Sequence, residues 1–305
     1  MGFWTDANGW PVPPLMLLAC LIAEILYFRG WEIITRGVQA KEAARAKRSH
    51  VRSTTGKTGW NGWLWRGIFF SCALFVLLVA SSTPVDRLAG RLFWVHMIQH
   101  LLLLVVIAPL LVAGAPTIPL WLGLPRRARK LFKVCVSVKI RRALYGLVGR
   151  LRQPAVSCAL LVVGTWMWHW PPLYDLALTN AALHDWCEHT TFLAVSLLFW
   201  TQIIPSAPLH LRAGYLGRLG CMGIAVAQNV VLAALLGFPQ TPLYAPYAHL
   251  STNLSAVQDQ QLGAGIMWTF GDLPFGIAFA ALVHRWLVSV SDEPAEVNVG
   301  GKQHA

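Results

Sequence analysis

Residues 91–116 read "RLFWVHMIQHLLLLVVIAPLLVAGAP". Two histidines, His96 and His100, stand four apart at the head of a run apolar enough to cross a bilayer. About 20 such residues span the hydrocarbon core. An imidazole there must face another polar group or lie near the surface, because lipid offers it no partner. The run therefore predicts both a membrane helix and a polar interior for that helix to face.

The rest of the chain supports a membrane class. Of 305 residues, 56% are hydrophobic and only 12% charged, and the 15 tryptophans suit membrane interfaces. Scanning for apolar runs predicts an all-α, polytopic transmembrane bundle of about seven spans, near 12–28, 64–82, 92–113, 154–170, 184–204, 218–237 and 262–287. One membrane domain, 1–290, is expected, followed by a short polar tail, 291–305. The first span has no small-residue cleavage signal and reads as retained.

The formal charge of +12 does not imply nucleic acid, because the basic residues are segregated by loop. Nine lie between Arg29 and Arg66, and ten between Arg126 and Arg152. With Arg212, Arg218, Arg285 and Lys302, 23 of the 25 fall on one side of a seven-span topology, leaving Arg87 and Arg91 opposite. The amino terminus is therefore placed outside and the carboxyl terminus in the cytoplasm. Residues 131–154, "LFKVCVSVKIRRALYGLVGRLRQP", read as a basic amphipathic segment on anionic headgroups.

This topology assigns depths to the histidines. At 1.5 Å per residue, His96 lies about 6 Å and His100 about 12 Å inside the outer face. His169 falls at the outer end of span four, His184 and His189 at the outer start of span five, and His249 in the following outer loop. In span five His184/Glu188 and Asp185/His189 have same-face spacing, whereas ideal helix geometry sets His184 and His189 about 140° apart. The inward set expected is thus His96, His100 and His189, joined by His169 or His184, with Glu188 or Asp185 as supporting carboxylates. Span seven contributes Asp259 and Gln260 at its mouth, Gly263 and Gly265 for close approach, and Met267, whose thioether beside imidazoles suits cuprous copper. Asp272 has no evident partner. The six cysteines form no CxxC pair and read as small buried hydrophobes, Cys187 alone lying near the proposed site. No catalytic triad, phosphate loop or dinucleotide fingerprint is present, so no enzyme is expected.

Three blocks, "HMIQHLLLLVVIAPLLVAGAP", "WHWPPLYDLALTNAALHDWCEHTTFLAVSLLFW" and "DQQLGAGIMW", follow one another on successive spans. In that order the chain resembles the CtaG-type assembly factors of caa-type cytochrome c oxidases, over most of residues 60–287. The resemblance implies a multi-pass protein of the bacterial plasma membrane, needed to build haem-copper oxidase and partnered by its subunits, with a part in copper supply. The family's histidine blocks correspond to His96, His100, His169, His184 and His189, and its acidic block to Asp259. The basic loop 36–58 and the tail after Leu287 lie outside the resemblance. Two other roles fit the same residues: a b-type haem carrier ligated by two of the histidines, or a metal-free assembly scaffold.

Overall fold

The computed structural model describes residues 12–49, 58–248 and 254–291. His249 and the tail 292–305 lie outside the described residues. Each of the seven apolar runs forms helix, and regular structure among the described residues is helical throughout. The first run lies in α1 (Pro14–Ser49), which continues through most of the basic stretch expected to be loop. The second forms α2 (Thr58–Ala80), and the short α3 (Thr83–Ala89) turns the chain into the third. That run is α4 (Phe93–Leu101), a wide π-turn over Leu102–Ile107, then α5 (Ala108–Gly114).

Proline explains the interruption. Pro109 has no N–H and its ring crowds the preceding turn, and the helix widens just before it, so that Ala108 N donates to Leu103 O five residues back. The carbonyl of Leu104 is thereby released. Ser196 Oγ and Trp200 Nε1 donate to it, at 2.5 and 2.9 Å. A freed carbonyl inside a membrane bundle needs such partners.

Beyond α6 (Thr117–Gly123), the basic segment forms two helices, α7 (Arg126–Cys135) and α8 (Val138–Leu151), with no buried residue in either. Helix α9 (Pro154–His169) bends away from α8 by 77°. Helix α10 (Pro171–Thr179) and a second π-turn, Leu183–Glu188, lead into α11 (His189–Ile203). The chain closes with α12 (Tyr215–Gly237), the single turn α13 (Ala245–Ala248) and α14 (Ala256–Ser291).

Four stretches among the described residues are long and apolar enough to cross a membrane: Gly62–Ala80, Phe93–Gly114, Tyr215–Gly237 and Ala256–Ser291. The bent α8–α9 pair makes a fifth if it is one span. Four or five is fewer than the seven expected; α9 and α11 have only 16 and 15 residues of regular α-helix. Large apolar side chains such as Phe75, Leu216, Phe270 and Ile277 point outward, as lipid-facing residues must.

Small residues set the closest crossings. A Cβ on Gly30 of α1 would lie 1.9 Å from Pro119 O of α6, and one on Gly123 of α6 would lie 1.8 Å from Leu26 O of α1. Gly263 of α14 does the same against α4, where a Cβ would meet the Phe93 ring at 2.5 Å. Gly265 meets nothing within 4 Å, so only the first of that expected pair is an approach site. Asp272, without an expected partner, accepts from Asn229 Nδ2 of α12 at 2.9 Å. Of the cysteines, Cys20, Cys158 and Cys221 are buried, but Cys72, Cys135 and Cys187 lie on the surface.

Candidate metal centre

Helix α4 presents His96 and His100 one turn apart toward α9, α10 and the second π-turn, and both rings are at most 2% exposed. The π-turn presents His184 and Glu188 to them, at 1% and 0%. One ligand atom from each of these four residues lies within 4.8 Å of the others. His96 Nε2 is 2.8 Å from His100 Nε2 and 3.3 Å from His184 Nε2. Glu188 Oε1 is 3.4 Å from His100 Nε2, and Oε2 is 4.0 Å from His184 Nε2.

The outer ring nitrogens decide what those Nε2 atoms can do. Tyr247 donates its hydroxyl hydrogen to Ala89 O at 2.7 Å, so its oxygen accepts from His96 Nδ1 at 2.9 Å. Burial pushes the Tyr247 phenol well above its ordinary value, which keeps that hydrogen in place. His184 Nδ1 donates to Asp185 Oδ1 at 2.9 Å, and His169 Nδ1 donates to Thr165 O at 2.7 Å. Because a carbonyl or carboxylate oxygen only accepts, the hydrogen sits on Nδ1 in each case. In their neutral form His96, His169 and His184 therefore present Nε2 as an acceptor. His96 and His184 aim theirs at one another, an arrangement that a shared cation resolves and a hydrogen bond between two acceptors does not.

Glu188 supplies the complementary charge. Neither of its oxygens accepts a hydrogen bond, although the residue is fully buried. A buried carboxylate is costly unless a cation or donors face it. Tetrahedral coordination with metal–nitrogen bonds of about 2.0–2.1 Å sets donors about 3.3 Å apart. The observed spacings of 2.8, 3.3, 3.4 and 4.0 Å straddle that value. The residues present thus fit a small cation, with three nitrogens and one oxygen, and with Nδ1 partners that orient His96 and His184.

His169 stands at the edge, its ring 6.1 Å from that of His100 and its Nε2 buried without a partner. His189, expected to be primary, instead forms a second group with His184 and Asp185. Glu188, expected as support, lies among the donors themselves. Asp259 does not touch the rings; it accepts from Phe93 N at 2.8 Å and Trp94 N at 3.1 Å, capping the helix that bears His96. Gln260 ties the loop before α13 to α12, accepting from Leu243 N and donating to Leu236 O, both at 2.7 Å. Met267 is buried on α14, where its carbonyl accepts from Asn229 at 2.9 Å.

The departure of His184 and His189 from the expected 140° has a simple cause. His189 N donates to His184 O, an i to i+5 bond, so the widened turn brings residues five apart onto one side. Their ring centroids are 4.2 Å apart. Sequence reasoning also missed the tyrosines. Tyr174 packs 5.2 Å from the His96 ring and stacks on Tyr244 at 3.9 Å, while Tyr244 donates to His169 O at 3.0 Å. The only sequence signal was the repeated Pro-Leu-Tyr, at 172–174 and 242–244.

Fold and site together define a helical membrane protein with a buried cluster of imidazoles and one carboxylate. The chain belongs to the cytochrome c oxidase caa3 assembly factor family (Caa3_CtaG), whose model matches residues 44–289. The match begins inside the basic stretch that the resemblance left out. The uncharacterised proteins Mb0105 of Mycobacterium bovis and MT0111 of Mycobacterium tuberculosis are each 28% identical over 221 residues, which is 69% of this chain and 32% of theirs. ML1998 of Mycobacterium leprae is 27% identical over 219 residues, with the same shares. The chain spans about a third of the length of these curated relatives. No solved structure matches it.

Proposed function

We propose that this protein holds a copper ion in the His96–His100–His184–Glu188 cluster and passes it to a haem-copper oxidase subunit docked at the outer face of a bacterial plasma membrane. Family membership supports the assembly role, without a catalysed reaction. One observation carries the metal: the fully buried Glu188, whose oxygens accept no hydrogen bond, set against imidazole acceptors. The segregation of basic residues supports seven spans with the amino terminus outside, α9 and α11 crossing as short helices. On that topology the cluster sits in the outer leaflet. The exposed basic helices α7 and α8 then lie on anionic headgroups at the cytoplasmic face.

The donors gathered are nitrogen and oxygen, a set that follows the usual divalent order in which copper binds tightest. The thioether argument for the cuprous ion is not carried by this set. Tyr247 and Asp185 orient two of the imidazoles, Glu188 offsets ionic charge, and Tyr174 and Tyr244 wall the cluster. Haem fits less well, because axial nitrogens either side of a porphyrin stand on the order of 4 Å apart, twice a metal–imidazole bond. The His96 and His184 Nε2 atoms are only 3.3 Å apart.

Metal analysis of the protein purified in mild detergent tests the reading. Wild type is expected to retain copper and a His96→Ala/His100→Ala/Glu188→Gln variant to lose it, with loading weaker toward acid as protons compete for the Nε2 atoms. Equal copper in both proteins would refute the metal. An intense Soret band in its place would favour the haem carrier, and a metal-free protein that still supports oxidase assembly would favour the scaffold.

A further inference from the structure

Among the described residues the four clustered side chains are at most 2% exposed, with Tyr174 and Tyr247 against His96. His184, however, belongs to two groups. With Asp185 and His189 it forms a second set whose ligand atoms lie within 4.8 Å of one another. This set is graded outward: His184 is buried, His189 half-buried, and the Asp185 side chain 49% exposed. The two ring nitrogens of His184 divide between the groups, Nδ1 toward Asp185 and Nε2 toward His96. His189 Nε2 is buried and has no hydrogen-bond partner, so it stands as an unused donor. The π-turn creates the juxtaposition by bringing residues five apart onto one side.

We propose that His184, Asp185 and His189 form a second, surface-facing ion position that loads the buried cluster through the shared His184. The proposal rests on reading the buried cluster as a metal site. The ion binds first between Asp185, His189 and water, and displaces the hydrogen from His184 Nδ1, which leaves through Asp185 to solvent. Its bonds to Nδ1, Asp185 and His189 then break as bonds to Nε2 and the buried donors form, and His184 Nδ1 takes back a proton from solvent. Charge and atoms balance, with no change of oxidation state. An exposed carboxylate and a half-buried imidazole make a weaker site than the enclosed one, as a loading position requires.

The test titrates the full chain in mild detergent with Cu(II) supplied as its glycine complex, reading bound copper by dialysis and environment by electron paramagnetic resonance. Wild type is expected to take a tight equivalent and then a weaker one with a distinct signal. In His189→Gln the weaker equivalent disappears and the tight one remains, which also shows that the variant is folded. The tight site then fills at least about tenfold more slowly, within the range for loss of a metal-supporting group. Loss of the tight equivalent in His189→Gln would place His189 in the buried site and overturn the proposal. So would a variant that keeps both equivalents, or fills at the wild-type rate. Wild type with a single equivalent, untouched by the substitution, would remove the loading position alone; wild type with none would remove the buried site as well.

Discussion

Replacing Tyr247 with Phe removes one oxygen atom about one imidazole away from the proposed ion. That oxygen donates to Ala89 O at 2.7 Å and accepts from His96 Nδ1 at 2.9 Å. In Tyr247→Phe both lose their buried partner, and His96 is free to move its hydrogen to Nε2, where it would block the metal. Loss of such an orienting bond typically weakens metal binding 10- to 100-fold, or about 1.4–2.8 kcal/mol at 1.4 per tenfold. The orphaned carbonyl and ring nitrogen add a stability cost of about 1–3 kcal/mol each. Copper affinity by chelator competition and thermal unfolding in detergent separate the two effects. Tyr244→Phe is the control: its hydroxyl donates to His169 O, so it should cost stability while leaving copper affinity within about threefold. If Tyr247→Phe binds copper as tightly as wild type, the tautomer argument is wrong and His96 is not held as a donor by this bond.

Two further outcomes follow from the packing around α4. Asp259→Ala removes the acceptor for Phe93 N and Trp94 N and should lower unfolding stability by about 2 kcal/mol, near the upper end for a cap. Copper retention should fall with it, since the first turn of α4 carries His96; unchanged unfolding would show that α4 is held without this cap. Gly263→Ala drives a methyl to 2.5 Å from Phe93, whose ring is locked against Tyr244 at 5.2 Å, so overpacking of about 1–3 kcal/mol is expected. Gly265→Ala, with nothing within 4 Å, should unfold like wild type, and equal behaviour of the two variants would refute the close α4–α14 approach.

Part of the site was legible in the sequence. The spacing of His96 and His100 placed both on one face because α4 is regular up to Leu101. The placement of His184 was wrong in angle because it assumed ideal helix geometry through a segment that carries a π-turn. Nothing in "LHDWCEH" marks that turn, since the stretch holds neither proline nor glycine. Asp259 was read as a mouth residue and proved to be a cap on a helix 165 residues earlier in the chain. Tyr247 escaped notice because its importance lies in a hydrogen bond across 151 positions.

The sequence by itself determined the class of the molecule: hydrocarbon forces apolar runs to be helical, and the loop charges and histidine blocks follow the chain order that any bundle must respect. Only the tertiary structure decided which imidazoles meet, because a side chain's direction across a helix depends on the turn beneath it and on what packs opposite. It alone set Glu188 among the donors, His189 outside them, and the tyrosine hydroxyl that fixes where His96 keeps its hydrogen.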